Sequence, residues 1–277
     1  MIIIKVLTEN TAASKDFGCE HGLSLYVETK RHHLLFDTGA SSLFAENAAK
    51  LKVDIPEIDI AILSHGHYDH GGGLKTFLEQ NSRAKVYAHE RVFEPHYAHR
   101  PDGTNAYIGL DSTLLPNERF VFCGATRKID EELELFSEVR EETPIPSGNA
   151  DLYRKIGNTF LQDDFAHEQN LVIRQNGKAL LIAGCAHRGI LNIVRQFKED
   201  NGRFPDVVIG GFHLYSRGPG KNEAPEAVDT LARELQKTGT QYYTCHCTGE
   251  EAYHRLKAIM GDQIGYLSAG SHLVINF

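Results

Sequence analysis

Short apolar runs of strand length alternate with turns and amphipathic stretches over most of the chain. Before residue 90, strands are predicted at residues 2–7, 23–28, 33–36, 58–63 and 84–88. Helices are predicted at 41–51 and 74–80, because apolar side chains recur there three and four positions apart. This alternation favours an α/β protein.

The same alternation returns near Thr159. Strands are predicted at 171–173, 179–183, 206–209, 241–244 and 273–277, and helices at 189–197, 225–237 and 250–260. Between the two regions, residues 90–158 are interrupted by prolines and glycines, so an insertion is predicted there, with possible strands at 120–122 and 133–139. We expect one domain over residues 1–277, with two sheets packed face to face under helices and the insertion forming part of a pocket wall.

Composition and charge narrow the class of protein. The 277 residues include 29 lysines and arginines against 37 aspartates and glutamates, a formal net charge of -8. This charge disfavours nonspecific binding to nucleic acids or anionic membranes. No apolar run reaches the ~18 residues of a membrane helix, and the N-terminal apolar run is too short for a secretory signal. Five scattered cysteines are expected to be reduced, so a cytoplasmic protein is predicted, with no indication of its oligomeric state.

The strongest chemical signal is the run SHGHYDHGGG at residues 64–73, directly after a predicted strand. Four metal-binding side chains lie within six positions: His65, His67, Asp69 and His70. Buried together without an ion they would lack partners, so a metal site is predicted rather than core packing. In a tight turn, His65 and His67 can chelate one cation. Asp69 and His70 can bind a second about 3.5–4 Å away, the spacing of two-metal hydrolytic sites.

This H-x-H-x-D-H arrangement, preceded by LLFDTG at residues 34–39, resembles the metallo-β-lactamase superfamily. The resemblance implies a four-layer αββα sandwich and two divalent metal ions, with zinc expected and manganese or iron as alternatives. In that family the aspartate of the upstream turn orients metal ligands, and this role falls on Asp37. An ordinary turn before Gly39 is the alternative.

The resemblance also implies metal ligands after later strands. It assigns His167 to the first metal, with a surface position as the alternative, and His213 to the second. Cys185 stands where most hydrolytic members place a metal-bridging aspartate. Its thiolate would suit zinc, and a small buried residue is the alternative. His187, two positions on, competes for the same space as a ligand or a substrate contact.

Motifs along nearly the whole chain are similar to one branch of this superfamily. The branch is labelled dihydropterin-methyl-ribofuranosylaminobenzene-phosphate synthase-like and is also described as class II metal-dependent hydrolases. The motifs are EHGLS at 20–24, LFDTG at 35–39, the run at 64–73, HE at 167–168, GCAHRGI at 184–190, GGFHL at 210–214 and HCTG at 246–249.

The predicted chemistry is hydrolysis of a small phosphoester or cyclic phosphodiester by metal-activated water. Arg217 and Lys221, in a glycine-rich loop, and the N-terminus of the last predicted helix offer contacts to an anionic substrate. Asp69 would orient the water, and His187 or His246 would stabilise the developing anion. Solvated charges are the alternative for the loop, and a capping turn for His246.

Three other functions stay open on the sequence. An ester, lactone or thioester hydrolase would use the same site. A redox protein would bind iron on similar ligands, with Cys185 nearby. A metal-loaded binding protein would result if Cys185, in place of the bridging carboxylate, prevents hydrolysis.

Overall fold

The computed structural model describes residues 1–218 and 220–277. The strands are β1 (Ile2–Thr8), β2 (Ser24–Glu28), β3 (His33–Phe36), β4 (Ile60–Ile62), β5 (Lys85–His89), β6 (His96–His99), β7 (Asn105–Tyr107), β8 (Phe120–Cys123), β9 (Thr126–Lys128), β10 (Leu133–Phe136), β11 (Leu152–Ile156), β12 (Thr159–Gln162), β13 (Asn170–Gln175), β14 (Lys178–Ile182), β15 (Val207–Gly210), β16 (Tyr215–Ser216), β17 (Lys221–Asn222), β18 (Gln241–Thr244), β19 (Ile264–Tyr266) and β20 (His272–Ile275). The helices are α1 (Leu43–Lys50), α2 (Tyr68–Gly71), α3 (Leu74–Gln80), α4 (Ile190–Asn201), α5 (Pro225–Gln236) and α6 (Glu250–Met260). Within these described residues, no helix is long and apolar enough to cross a bilayer.

Two seven-stranded sheets form the body of the molecule. The first has the order β20-β1-β2-β3-β4-β5-β8, and the second has the order β19-β18-β15-β14-β13-β10-β9. In each sheet one half is antiparallel and the other half is parallel. The parallel strands β4 and β15 are entirely buried aliphatic runs, as expected for strands that are covered on both faces.

Helices cover the outer face of each sheet. Between the sheets, apolar side chains from both inner faces form one buried cluster, in which Ile4 and Phe36 of the first sheet join Leu171 and Ile182 of the second. The outer face of the first sheet packs against α1 and α3, and that of the second against α4, α5 and α6. The expected four-layer αββα sandwich is therefore confirmed.

The segment predicted as an insertion, residues 90–158, contains two kinds of structure. Its middle belongs to the sandwich, because β8 extends the first sheet while β9 and β10 extend the second. The remainder supplies β6, β7 and β11, which with β12 form a separate four-stranded sheet in the order β12-β11-β6-β7. The backbone N–H of Tyr68 donates to the carbonyl of Ile108 at 2.8 Å, which ties this segment to the 64–73 run.

Candidate metal centre

The loops that carry the candidate chemistry meet at one edge of the sandwich. The 64–73 run follows β4, and three further loops follow β14, β15 and β18. Each of these strands has a parallel neighbour, and the loops after parallel strands lie along a common sheet edge. Histidines far apart along the chain therefore come into ring contact, with centroids 4.9 Å apart for His70 and His246 and 5.0 Å for His65 and His187.

Asp37 sets the proton positions of two imidazoles. It lies at the end of β3 with φ 60, and its Oδ1 accepts from the backbone N–H of Ser64 at 2.7 Å. Its Oδ2 lies 2.7 Å from Ser64 Oγ and 2.6 Å from His70 Nδ1. Because the Ser64 hydroxyl donates to the carboxylate, its oxygen accepts from Nδ1 of His65 at 2.8 Å. In their neutral forms, His65 and His70 therefore both carry the lone pair on Nε2, and this geometry suits the orienting role predicted for Asp37.

A first group of acceptor atoms surrounds His70. Asn10 accepts from Nδ1 of His246 at 2.8 Å while its amide donates to the carbonyl of His246, so Nε2 of His246 also carries a lone pair. That atom lies 3.2 Å from Nε2 of His70 and 3.4 Å from Oδ2 of Asp69. Cys185 Sγ lies 3.1 Å from Nε2 of His70. Two imidazole nitrogens, a carboxylate and a thiol converge, which is a donor set that suits a divalent ion.

A second group lies beside it. His65 Nε2 is 3.1 Å from His67 Nδ1. Asn149 accepts from Nδ1 of His187 at 2.8 Å and donates to its carbonyl, which leaves a lone pair on Nε2 of His187. Within the described residues this buried nitrogen has no hydrogen-bond partner. The ligand atoms of His65, His187 and Cys185 lie within 4.8 Å of one another, so Cys185 borders both groups.

Two of the expected ligands have other surroundings. Nδ1 of His167 accepts from the backbone N–H of Gly66 at 3.0 Å, so its proton sits on Nε2, which faces Asp163 at 3.2 Å. Both ring nitrogens of His167 are thus hydrogen-bonded, whereas Nε2 of His187 has no partner within the described chain. His213 stands with Cys185 and Cys247, and neither ring nitrogen has a partner among the described residues. The place expected of His213 beside His70 is taken by His246.

The charges within the site favour a cation. Burial alone would raise the pKa of Asp69, but His70, His246 and His21 lower it well below its usual range, so the carboxylate is ionised. Burial alone would lower the pKa of His70, but Asp37 and Asp69 raise it to about 9, so Nε2 of His70 holds a proton near neutral pH that a binding metal ion must displace.

The imidazoles of the second group behave differently. Burial and neighbouring histidines hold the pKa of His65, His67 and His187 well below its usual range. These rings are therefore neutral, which is the form that binds metals.

A cavity of about 510 Å³ adjoins both groups. Asp69, Cys185, His187 and His213 line it, and Arg217 also lies in its wall. Among the described residues, Lys221 is exposed on β17 outside the cavity wall. His246 lies fully buried behind the wall.

Sequence reasoning missed several residues that the fold brings to this site. Arg100, just after β6, lines the cavity, and no acidic side chain of the described chain pairs with it or with Arg217. Asn10 and Asn149 fix the rings of His246 and His187. Each of these is a single polar residue in a loop, and neither periodicity nor motif spacing distinguishes such residues from solvated ones.

The fold and this histidine-rich edge together define a class of protein, and comparison with known families agrees. A family model described as the metallo-beta-lactamase superfamily matches residues 17–155. A crystal structure described as a metal-dependent hydrolase of the beta-lactamase superfamily is 29% identical, with a TM-score of 0.84 over 100% of both chains.

Two relatives from Methanocaldococcus jannaschii extend the likeness over nearly the whole chain. One is an uncharacterised protein that is 30% identical over 96% of this chain and 98% of its own length. The other is named a 7,8-dihydropterin-6-methyl-4-(beta-D-ribofuranosyl)-aminobenzene-5'-phosphate synthase and is 28% identical over 97% of this chain and 95% of its own. The chain belongs to the metallo-beta-lactamase superfamily, whose members are mostly metal-dependent hydrolases.

Proposed function

We propose that this protein is a phosphoester hydrolase that works with two divalent metal ions. The proposed ligands of the first ion are His65, His67 and His187, and those of the second are Asp69, His70 and His246. Cys185 lies within reach of both. The observation that carries the proposal is the convergence of lone pairs whose directions Asp37, Asn10 and Asn149 determine through hydrogen bonds. His187 and His246 thereby replace the expected His167 and His213.

Zinc is the proposed metal, because the ligands are mainly imidazoles with one carboxylate and a neighbouring thiol. When bound, the ions supply Lewis acidity toward a phosphoryl oxygen and activate a water molecule. The chain itself contributes orientation. Asp69 is ionised and is held by His21 at 3.3 Å, so it can accept a hydrogen bond from the attacking water.

His213 is the proposed group at the leaving side. Its ring lies 4.2 Å from that of His187, lines the cavity and has no partner on either nitrogen within the described chain. A neutral imidazole there carries one N–H, which would donate to the departing oxygen. We assign to His213 the anion-stabilising role expected of His187 or His246, because those two rings are among the proposed metal ligands.

The cavity wall supports the proposal of an anionic substrate. Arg100 and Arg217 reach it from two separate loops, and guanidinium groups that pair with no acidic side chain of the described residues are suited to phosphate. The synthase relative carries a 5'-phosphate in its name, which supports a phosphorylated substrate for this chain as well. We therefore propose a small phosphoester or cyclic phosphodiester, with no nucleic-acid partner.

The test combines metal analysis with a substrate panel. Purified protein is expected to hold two metal ions per chain and to hydrolyse a phosphomonoester, an acyclic phosphodiester or a cyclic phosphodiester. This activity should disappear in chelator and return with zinc. Turnover of carboxylic esters, lactones or thioesters alone would overturn the substrate class. Iron with a visible absorption band would indicate the redox protein, and full metal content without turnover of any substrate would indicate the binding protein.

A further inference from the structure

A further buried cluster shares His67 with the proposed ligands of the first ion. His67, His96, Asp163 and His167 offer ligand atoms within 4.8 Å of one another. His96 comes from β6 and Asp163 follows β12, so the small four-stranded sheet supplies half of the cluster. All four are buried, with side chains of His96 and Asp163 at 0% exposure. By composition alone the cluster resembles another metal site.

The hydrogen bonds already present argue against an ion at this position. Nδ1 of His167 accepts from the N–H of Gly66, so its Nε2 proton faces Oδ2 of Asp163. The same oxygen lies 3.0 Å from Nδ1 of His96, and Oδ1 accepts from the N–H of Phe165 at 2.8 Å. Burial alone would raise the pKa of Asp163, but the hydrogen bonds of His167 and His96 lower it well below its usual range. The ionised carboxylate can only accept hydrogen bonds, so Nδ1 of His96 donates and carries the proton. The remaining free acceptor is Nε2 of His96.

His67 supplies the matching proton. Its Nδ1 lies 3.1 Å from Nε2 of His65, among the proposed ligands. A neutral imidazole that uses Nδ1 as a ligand must carry its proton on Nε2. Within the described chain, Nε2 of His67 and Nε2 of His96 are both buried and form no hydrogen bond, either with each other or with another residue, so the two rings must approach further for a bond to form between them. The two rings approach edge-on, with centroids 5.6 Å apart and an interplanar angle of 77°.

We propose that His96 and Asp163 are positioning residues for His67 as a metal ligand. Nε2–H of His67 would donate to Nε2 of His96, and Nδ1–H of His96 donates to Asp163. The inference rests on the proposed function only in that His67 holds an ion. Gly66 fits this arrangement, because a Cβ there would lie 2.7 Å from Nε2 of His96. Hydrogen-bond partners of this kind typically change metal affinity by about 10–100-fold.

The metal affinity of three variants tests this role. Zinc dissociation constants are measured by competition with a chromogenic chelator for His96→Phe, His96→Gln and the control His89→Phe, which removes a buried histidine outside the cluster. His96→Phe is expected to lower the affinity for one of the two ions by about 10–100-fold. His96→Gln should recover part of that loss, because its carbonyl oxygen can accept from His67. His89→Phe should bind zinc like the unaltered protein.

A spectroscopic measurement keeps the inference testable if His96→Phe does not fold. In zinc-loaded protein with ¹⁵N-labelled histidine, the Nε2 proton of His67 should show scalar coupling to Nε2 of His96. Absence of this coupling would overturn the inference.

The affinity series has overturning results of its own. Unchanged zinc affinity in His96→Phe would overturn the inference, and so would equal losses in the Phe and Gln variants. Three ions in the unaltered protein and two in His96→Phe would make His96 a ligand instead. None of these readings depends on phosphoester turnover, so failure of the proposed activity is a separate result.

Discussion

Two neighbouring histidine clusters have similar composition and different chemistry. Around His70 and His246, each ring donates its Nδ1 proton outward, to Asp37 or Asn10, and turns a lone pair inward. Around His96 and His167, both rings donate inward to the same carboxylate, Asp163. The first cluster gathers acceptors and therefore suits a cation. In the second cluster, the carboxylate already accepts hydrogen bonds from two imidazole N–H groups, so it is less available to an ion.

The difference shows that residue type does not define a metal site by itself. What decides is where each imidazole proton lies, and that is set by the partner of the other ring nitrogen. His32 is a third case, because its two nitrogens face Asp59 at 3.0 Å and Asp130 at 2.6 Å. Both ring nitrogens of His32 can therefore carry a proton and donate to a carboxylate, which leaves no lone pair for a metal.

The largest expected effect comes from removing a ring in the acceptor cluster. His70→Ala removes a proposed ligand itself, not a hydrogen-bond partner of a ligand. Its metal affinity should therefore fall by more than about 100-fold, and the activity should be lost. The fold should remain, since the apolar layers do not include this ring. Metal stoichiometry by elemental analysis and far-UV circular dichroism measure the two effects. Two bound ions in His70→Ala would contradict the assignment of His70 to the metal-binding cluster.

The second largest effect is expected from moving the ring proton of His70 from Nδ1 to Nε2. Asp37→Asn would present an amide N–H to Nδ1 of His70, which pushes the ring proton onto Nε2 and removes the lone pair. Metal affinity is expected to fall by about 10–100-fold with little change in volume. Asp59→Asn is the matched control, because Asp59 accepts from a histidine away from the site. Equal metal affinity in both variants would show that the proton position is irrelevant.

Cys185→Ser separates a ligand from a neighbour. If the thiol joins the zinc ligands as a thiolate, the variant should hold zinc about 10-fold less tightly, because the hydroxyl is a poorer ligand for this metal. Cys19→Ser, at an exposed position, is the control. Competition with a chelator measures both, and identical affinities would place Cys185 among the packing residues.

Removing a cavity-wall charge should leave the metal centre intact. Arg100→Ala is expected to raise KM for an anionic substrate roughly 10-fold, the equivalent of about 1.4 kcal/mol, and to make KM less sensitive to salt. Metal content should not change. Lys221→Ala is the matched comparison, because Lys221 lies outside the cavity wall, and it should change KM less. A larger effect of Lys221→Ala would contradict this placement of the anion.

The smallest effect is expected at His32, whose two ring nitrogens both face carboxylates. Burial alone would lower the pKa of His32, but Asp59 and Asp130 raise it. A raised folded pKa stabilises the fold below the unfolded value of 6.5, and this stabilisation is lost as pH rises through the folded pKa. His32→Gln should therefore cost about 1 kcal/mol or less at acidic pH and still less at alkaline pH. Urea unfolding at the two pH values measures it, and a pH-independent cost would contradict the charged state.

Part of the site follows from local sequence, and part does not. The run at 64–73 predicts metal ligands because several donors crowd one turn after a buried strand. Asp37 was identified through its place in a strand-turn motif. His187 and His246 were identified only as alternatives, because spacing along the chain does not show which nitrogen of a distant ring remains free. Arg100 and Asp163 carry no local signal at all.

The amino-acid sequence by itself determined the α/β class, the two regions of alternating elements and the turn at 64–73. These depend on apolar periodicity and on donors close together in the chain, both of which act over a few residues. Only the tertiary structure decided that part of 90–158 completes the main sheets, and which imidazoles face one another. Those outcomes depend on contacts between residues more than a hundred positions apart, such as Gly66 with His167. A hydrogen bond formed at that separation determines where a proton lies.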